Sequence, residues 1–218
     1  LACVTAERPW PDGEWAPQGS ALILSAEDDP EDIIVPRLMA AGANLDAIEF
    51  LEGYSVMVSG REGPKKYFDL VGGFAALRKA AARMKDLRWV SIDPVLAYMG
   101  GKNSHKNAEV RDALRPYCEL AQERDFAFLV NTHLNSGTST DPLERFTASK
   151  AFAQVARSTL LVLEDPDDES GERRLLLPAP GNIAARNQPG FAYRVEATTA
   201  GEDDGAPIPT TRLQWETT

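Results

Sequence analysis

Residues 21–29 read ALILSAEDD, an apolar run that passes directly into carboxylates. Two later stretches repeat this pattern, and each ends on a polar residue of a catalytic type: RWVSID at 88–93 and FAFLVNTH at 126–133. Short apolar runs without a helical period, bounded by polar residues, are typical of strands buried on both faces. Ligands of open parallel sheets bind outside the carboxyl ends of the strands, so Glu27, Asp93 and His133 are predicted to line one crevice.

Around these runs, strand signals alternate with helix signals. Strands are predicted over four early segments, 21–26, 48–51, 89–93 and 126–131. Asp29 and Pro30 are typical of a helix start, and Gly42 is typical of a helix end. Apolar residues at steps of three and four predict two further helices, one from Leu70 to Met84 and one from Val110 to Ala121.

Other segments are less regular. Pro116 is expected to kink its helix, because proline frees the carbonyl of Asp112. The polar segment 59–69, SGREGPKKYFD, is predicted to be a loop. The last third of the chain reads mostly as strands, over 159–163, 174–177, 191–196 and 212–215, with turns at DPDDESGE and AGEDDGAP between some of them.

This order of elements predicts an α/β protein. We expect a mostly parallel sheet flanked by helices, with antiparallel strands added in the C-terminal part. We also expect one domain over 1–218. Its parts are a helix tail and loop over 1–20, an α/β core over 21–165 and a β-rich C-terminal extension over 166–218.

The composition limits the functions that the chain can have. Its formal net charge is −10, whereas proteins that grip duplex DNA over a broad face are normally basic. A few cationic loops remain compatible with this charge, and 60–66 and 100–106 are the candidates. No apolar stretch approaches the roughly 18 residues that span a bilayer. Cys3 and Cys118 form neither a disulfide framework nor a metal site, so we expect a cytoplasmic protein.

Each strand-end residue has a chemical interpretation and an ordinary structural one. An apolar strand ending in Asp93 matches the Walker B pattern, whose carboxylate helps hold Mg²⁺ beside nucleotide phosphates. The alternative is an aspartate that stabilises a turn or caps a helix at the end of the strand. Glu27 can orient or deprotonate an attacking water, or it can simply lie on the surface. His133 can donate a hydrogen bond to a γ-phosphate or to that water, or it can be a satisfied strand-end histidine.

Two arginines follow the loop after residue 133. Arg145 and Arg157 can each place a guanidinium on a transferring phosphoryl group, in the same chain or in a neighbouring subunit. Arg157 shares a segment with Phe152 and Val155. The alternative is therefore a helix residue whose stem lies on apolar surface while its charge reaches water.

The printed sequence contains no phosphate-binding P-loop of the form G-x-x-x-x-G-K-[ST]. The segment GGKNS at 100–104 resembles the end of that motif. It has Leu96 where the motif needs glycine and Asn103 where the motif needs serine or threonine. It also follows the strand of Asp93, which is the wrong place for a P-loop.

In order and spacing, several segments are together similar to the RepA-type branch of the RecA-like ATPases. This branch comprises relatives of the plasmid replicative hexameric helicase, found in phages, plasmids and bacteria. The segments that carry the resemblance are PWPDG at 9–13, ALILSAEDDPEDIIVPRLMAAGA at 21–43, WVSIDPVLAYMGGKNSHKNAEVR at 89–111, NTHLNSG at 131–137, RFTASKAFAQVARSTLLV at 145–162, GNIA at 181–184 and FAYRVE at 191–196.

The resemblance implies a RecA-like P-loop NTPase core that binds ATP and Mg²⁺. It also implies a homo-oligomeric, hexameric ring that works on single-stranded DNA in the replication of bacteria or mobile elements. In this family the P-loop precedes the helix that leads into PWPDG, and residues 1–6 resemble the end of that helix. We therefore expect the motif to lie just before Leu1.

The resemblance also assigns roles to individual residues. It implies that Glu27 is the catalytic base, that Asp93 is the magnesium-site carboxylate and that His133 senses the γ-phosphate. By the same match, Arg157 is an arginine finger that reaches the site of the next subunit.

Two further positions match family segments near the subunit interface. Arg145 matches the arginine that opens the family's R-G-S segment. Asn182 matches an asparagine near the bound nucleotide.

Three functions are open at this point. The first is an ATP-hydrolysing ring motor of the helicase type. The second is a nucleotide-free RecA-fold module for interaction or assembly. The third is a metal-dependent phosphoesterase that uses four residues, Glu27, Asp28, Asp93 and His133.

Overall fold

Four parallel strands form the main sheet. The computed structural model describes residues 1–58, 61–104, 106–133, 151–179 and 189–216. The strands lie in the spatial order β2 (Ile48–Phe50), β1 (Ser20–Ser25), β5 (Leu87–Asp93) and β6 (Ala127–Val130). The four predicted strands are confirmed to within two residues at each end. All residues of β1 except the last are buried, which explains its continuous apolar run.

Helices join the strands and cover the sheet. Their bounds are α1 (Ala2–Thr5), α2 (Val35–Ala40), α3 (Phe74–Arg83), α4 (Asn107–Arg124) and α5 (Ala151–Val155). A wide helical turn at Pro30–Ile34 leads into α2, and tight turns occupy Leu45–Ala47 and Val95–Tyr98. The helix α4 continues through Pro116 without a break. Within the described residues, no helix combines the length and the apolar character that crossing a membrane requires.

The predicted boundary signals around α2 are confirmed. One carboxylate oxygen of Asp29 accepts hydrogen bonds from the N–H groups of Glu31 and Asp32 at 2.8 and 2.9 Å. At the other end, Gly42 has φ +71° and donates its N–H to the carbonyl of Met39 at 2.8 Å. Both ends of this helical segment are therefore set by local sequence.

The helix predicted from Leu70 begins only at Phe74, so that prediction is wrong for its first turn. The side chain of Asp69 accepts hydrogen bonds from the N–H groups of Val71 and Gly72 at 2.9 and 2.7 Å. These bonds form a turn that competes with helix. Leu70 is nevertheless buried, so its spacing reports the core rather than a helix.

The prediction of a loop over 59–69 is wrong for most of its described residues. The segments β3 (Gly53–Val58) and β4 (Arg61–Tyr67) form an antiparallel two-stranded ribbon, separate from the main sheet. The strand β4 reads REGPKKY and lacks the alternating apolar pattern that identifies a half-buried strand. Because its residues are polar, β4 was predicted as a loop.

The C-terminal strands form a second, antiparallel sheet, as predicted. Its spatial order is β10 (Ala206–Trp215), β9 (Phe191–Asp203), β8 (Arg173–Pro178) and β7 (Leu160–Glu164). The strands β9 and β10 continue through most of the segment AGEDDGAP that we predicted as a turn, and the turn itself is only Asp204–Gly205. Both strands contact α2, which links the two sheets.

A network of ion pairs joins the turn between β7 and β8 to the end of β10. Arg173 pairs with the buried carboxylate of Asp165 and, at 2.8 Å, with Glu216. Arg194 contacts Asp168 at 3.3 Å and Glu216 at 3.5 Å. The pKa of Asp168 is held well below its usual range, chiefly because its carboxylate accepts the backbone N–H of Arg173.

The hydrophobic core lies between the main sheet and the helices α3 and α4. Tyr117 stands at its centre, with its ring stacked on Phe128 and edge-on to Phe74. Its hydroxyl donates to the carbonyl of Leu70 at 3.0 Å. Burial raises the pKa of Tyr117, and burial together with nearby Asp93 raises the pKa of Tyr98 to about 12.

Tyr117→Phe tests the importance of this buried hydrogen bond. We expect the free energy of unfolding to fall by about 1–2 kcal/mol, because the buried carbonyl of Leu70 loses a donor. The measurement is urea denaturation at neutral pH. Tyr67→Phe is the matched control, because the side chain of Tyr67 is 90% exposed and its hydroxyl should contribute little. Equal stabilities for the two variants would contradict this account of the core.

The raised tyrosine pKa values also predict how stability depends on pH. Unfolded tyrosine ionises near pH 10, whereas Tyr98 ionises at about 12 in the folded protein. A raised folded pKa contributes stability below the unfolded pKa, and that contribution is lost as pH rises from 10 towards 12. We expect this loss to be smaller in Tyr98→Phe, as measured by urea unfolding at pH 9, 10.5 and 11.5. Identical slopes would contradict the assignment.

Candidate functional site

The carboxyl ends of β1 and β5 lie level with each other. Ser25 pairs with Asp93 in the parallel register of the two strands. Backbone hydrogen bonds continue past the strand ends, from Ala26 N to Asp93 O and from Asn131 N to Ile92 O, each at 2.9 Å. The segments that leave β1, β5 and β6 are therefore fixed at the carboxyl end of the sheet.

Two of the predicted residues meet at this edge. The imidazole Nε2 of His133 lies 3.3 Å from a carboxylate oxygen of Glu27. The two side chains are 67% and 56% exposed, so their contact contributes little to folding. A ligand that reaches the edge can contact both groups. The prediction that these strand ends converge is confirmed for this pair.

Local contacts separate Glu27 from the carboxylates beside it. The hydroxyl of Ser25 donates to the carbonyl of Asp28 at 3.1 Å and closes a turn. Arg37 on α2 pairs with the carboxylate of Asp28 at 2.8 Å, and Asp29 caps the following helical turn. Of these three neighbouring acids, Glu27 is the one whose carboxylate meets His133.

Asp93 makes a second polar contact at the same edge. The side-chain amide of Asn131 donates to a carboxylate oxygen of Asp93 at 3.0 Å. The backbone also holds Asn131, because its carbonyl accepts the N–H of Val95 at 2.8 Å. We did not predict a role for Asn131 from the sequence. The available signal was its place directly after an apolar run and two residues before His133.

Asp93 has the chemistry of a magnesium ligand. Mg²⁺ in nucleotide sites is bound by one or two protein carboxylates, with phosphates and waters completing its coordination. The half-buried carboxylate of Asp93, oriented by Asn131, fits this requirement. Among the described residues, no group of three or more His, Cys, Asp or Glu side chains is placed to hold a metal ion. The described residues therefore do not contain a three-residue ligand set of the kind that a metal-dependent phosphoesterase needs.

Two other polar side chains lie close to these residues. Tyr98 stays protonated at neutral pH, since its pKa is about 12, and adds no charge near Asp93. The hydroxyl of Thr132 is buried and has no hydrogen-bond partner within the described ranges. Thr132 stands between Asn131 and His133, and we did not predict a role for it.

Arg157 lies beside α4. It is exposed in a bend beyond the end of α5, so the interpretation as a helix residue is wrong. Burial raises the pKa of the Cys118 thiol, and the nearby charge of Arg157 partly offsets this rise. Arg111, near the start of α4, donates a hydrogen bond to the side chain of Gln154 on α5 at 2.8 Å, so the segment that leads to Arg157 packs along α4.

Two predicted site residues are not placed by the structure. Arg145 and Asn182 lie outside the described residues. Their roles in the nucleotide site therefore stay predictions from the resemblance.

The segment GGKNS makes contacts with the first turn of α4. The N–H of Asn103 donates to the carboxylate of Glu109 at 2.7 Å, and Lys106 pairs with the same carboxylate at 3.2 Å. The backbone N–H of Asn103 and the side chain of Lys106 are the main groups that lower the pKa of Glu109. The N–H of Asn103 is therefore bonded to the carboxylate of Glu109, whereas the N–H groups of a P-loop bind phosphate. This supports the conclusion that the segment is not a P-loop.

Comparison with known proteins identifies the family of this chain. A family model described as an AAA domain matches residues 1–139, which include β1 to β6 and all four strand-end residues discussed above. The chain therefore belongs to the AAA-domain family. No curated protein matches it. This membership indicates a nucleotide-binding ATPase domain, and the four-stranded parallel sheet with flanking helices fits a RecA-like fold.

Asn131→Ala tests whether Asn131 positions Asp93. We expect the affinity for Mg²⁺, measured by titration in the presence of ATP, to fall about 10- to 100-fold, because residues that orient metal ligands typically contribute this much. The melting temperature should change little, since Asn131 is exposed. Asn44→Ala is the control, because Asn44 caps a turn before β2. An unchanged Mg²⁺ affinity in Asn131→Ala would exclude the positioning role.

Proposed function

We propose that the protein is the motor domain of a ring-forming, helicase-type ATPase that hydrolyses ATP with Mg²⁺ and acts on single-stranded DNA. The observation that supports this most strongly is the pairing of Glu27 with His133 beside the pairing of Asp93 with Asn131, at one edge of a parallel sheet. Membership of the AAA-domain family supports the nucleotide chemistry. The resemblance to RepA-type proteins suggests the ring and the DNA.

In this proposal Glu27 is the general base that deprotonates the attacking water. Its carboxylate is more than half exposed at the strand edge and can accept a hydrogen bond from a water molecule there. His133 lies beside it, and once its Nε2 leaves the contact with Glu27 it can donate a hydrogen bond to an oxygen of the γ-phosphate. Glu27 takes the proton as the water oxygen attacks phosphorus in line with the leaving ADP oxygen. Glu27 thus acts on the attacking water, whereas His133 acts on the phosphate that the water attacks.

Asp93 and Asn131 form the metal side of the site. Asn131 donates to one carboxylate oxygen of Asp93, which fixes the direction of that carboxylate. Mg²⁺, when bound, neutralises the charge on the phosphate oxygens. Asp93 then holds the metal or one of its waters, as in other nucleotide sites that use a strand-end carboxylate.

The proposal requires a phosphate cradle elsewhere in the same polypeptide. The motif G-x-x-x-x-G-K-[ST] does not occur within residues 1–218. The sequence of the complete protein tests this requirement directly. A complete protein without the motif would favour the nucleotide-free assembly module instead.

The exposure of Arg157 supports action between subunits. It lies in a bend beyond the end of α5, where a neighbouring copy can approach it. A guanidinium that stabilises the transferring phosphoryl group must reach that group. In a ring, Arg157 can do so in the site of the adjacent copy.

Glu27→Gln tests the proposed general base. In the full-length protein we expect ATP binding to stay within about threefold of wild type while turnover falls at least 100-fold, because the amide cannot take the proton. The measurements are nucleotide binding by calorimetry and phosphate release. Glu31→Gln, the same charge change four residues along, is the control. Normal turnover in Glu27→Gln would remove Glu27 from the mechanism.

Mixed oligomers test whether Arg157 acts in trans. We expect Arg157→Ala and Glu27→Gln each to be inactive alone, because every site lacks either its arginine or its base. Co-expressed subunits should regain part of the activity, since some interfaces then combine an intact Glu27 with an intact Arg157. Arg115→Ala, an exposed arginine on α4, is the control and should be active. Full activity of Arg157→Ala alone would show that Arg157 does not act on the phosphate.

A further inference from the structure

The helix α3 and the two residues after it form a basic stretch in an acidic chain. Residues 74–85 contain no carboxylate, whereas the formal net charge of the chain is −10. The stretch has four cations, and all of them are exposed: Arg78, Lys79, Arg83 and Lys85. Arg83 pairs with Glu49 at 3.2 Å, and the other three make no ion pair with any residue in the described ranges. A basic surface on an acidic protein is a place where an anionic partner can approach.

A groove of about 530 Å³ lies along this basic stretch, between α3 and β3. Lys79 and Arg83 both line its α3 side, where a spacing of four residues places them on the same face of the helix. Small residues line much of the rest, including Gly53, Gly72 and Ala76. The groove therefore has room between its walls and two cations on one of them.

The tip of the β9–β10 hairpin has the opposite charge. Glu202, Asp203 and Asp204 follow one another there, and residues 195–211 contain no cation. Every residue from 201 to 207 is exposed, so the tip stands out from the rest of the subunit. Within the part of the chain that the structure describes, the three tip carboxylates make no ion pair. The tip is thus an exposed acidic turn whose charges are available to a partner.

The hairpin does not occupy the groove of its own chain. Its strands pair with each other and with β8 and pack on α2, and among the described elements they make no extensive contact with α3 or β3. Close to the tip, Gly201 lies beside Met39 of α2. Leu77 of α3 belongs to the core cluster, whereas Leu38 of α2, which is also buried, does not. The groove and the tip are therefore separate surfaces of one subunit.

We propose that the acidic tip of one copy docks in the α3 groove of the next copy, with the tip carboxylates beside Lys79 and Arg83. The inference rests on the proposed ring and names two surfaces that build it. Because the tip and the groove are different surfaces, the contact is head-to-tail, and each copy has a tip for one neighbour and a groove for the other. Such contacts close into a ring when the rotation between neighbours divides a full turn evenly.

A nucleic acid strand would also be attracted to Lys79, but the groove offers its bases little to stack on. Single-stranded bases bind by stacking on exposed aromatic rings. Among the described residues that line the groove, Tyr54 is the only aromatic one, and its hydroxyl is hydrogen-bonded to Asp69. The carboxylates of the tip match the two cations without needing a ring, so a second copy is the occupant that the groove favours.

Charge reversal tests this contact in the full-length protein, by sedimentation velocity over a range of protein concentrations. We expect Lys79→Glu and Asp203→Lys each to raise the dissociation constant between subunits at least about 10-fold, because like charges then face each other across the interface. The variant that combines both changes should regain most of the lost affinity, since the exchanged charges attract again. Such a rescue requires that the two positions meet.

Two matched variants control for the change of charge itself. Lys85→Glu alters the same basic stretch at an exposed residue that does not line the groove. Glu169→Lys alters an exposed residue in the acidic turn between β7 and β8. Both variants should assemble like wild type. The melting temperature of every variant is measured as well, and it should change little because all the substituted residues are exposed.

Three results would overturn the inference. The first is a wild-type protein that stays monomeric at every concentration. The second is unchanged assembly of either single variant, or a combined variant that assembles no better than the single ones. The third is a loss of binding to fluorescein-labelled dT20 in Lys79→Glu while assembly is unchanged, which would assign the groove to nucleic acid.

ATP turnover, measured in parallel, separates this inference from the proposed function. A charge rescue of assembly in a protein that does not hydrolyse ATP supports the interface and refutes only the ATPase proposal. Normal turnover with assembly that ignores the reversed charges refutes only the interface.

Discussion

The register of β1, β5 and β6 is the constraint on which the site depends. Parallel ladders bring Ser25 level with Asp93, and backbone bonds continue for one residue beyond these strands, at Ala26 and Asn131. A shift by one residue would turn every side chain of a strand to the other face. Because β1 is buried along nearly its whole length, such a shift would also expose core residues. Core packing and site geometry are thus determined by the same pairing.

The main sheet could be predicted because burial and secondary structure agree there. Continuous apolar runs identify doubly buried strands, and Asp29 and Gly42 set the ends of the helical segment after β1 through their own hydrogen bonds and backbone angle. The strand β4 could not be predicted, because it lies outside the main sheet and reads REGPKKY, without apolar alternation. The start of α3 was misplaced for a different reason. Asp69 binds the N–H groups that a helix would have used, and apolar periodicity does not show that competition.

The candidate site shows the same division between local and tertiary information. Glu27, Asp93 and His133 could be predicted, because a polar residue at the end of a buried strand is visible in the sequence. The hydrogen bond from Asn131 to Asp93 and the ion pair between Arg37 and Asp28 could not, because each depends on where two separate segments meet. These unpredicted contacts orient the carboxylate of Asp93 and pair the carboxylate of Asp28 with a cation. The placement of Arg157 beside α4 likewise depends on the packing of α5.

The residues at the strand ends have a shared function only if they surround the reacting phosphate. A crystal structure of the full-length protein with Mg²⁺, ADP and aluminium fluoride is the most direct measurement of this. We expect the carboxylate of Asp93 to bind the metal or one of its waters. A carboxylate oxygen of Glu27 should lie within about 3.5 Å of the water that faces the fluoride, and His133 Nε2 should hydrogen-bond to the fluoride group. A fluoride group that neither Glu27 nor His133 can reach, even through one bridging water, would contradict the proposed site.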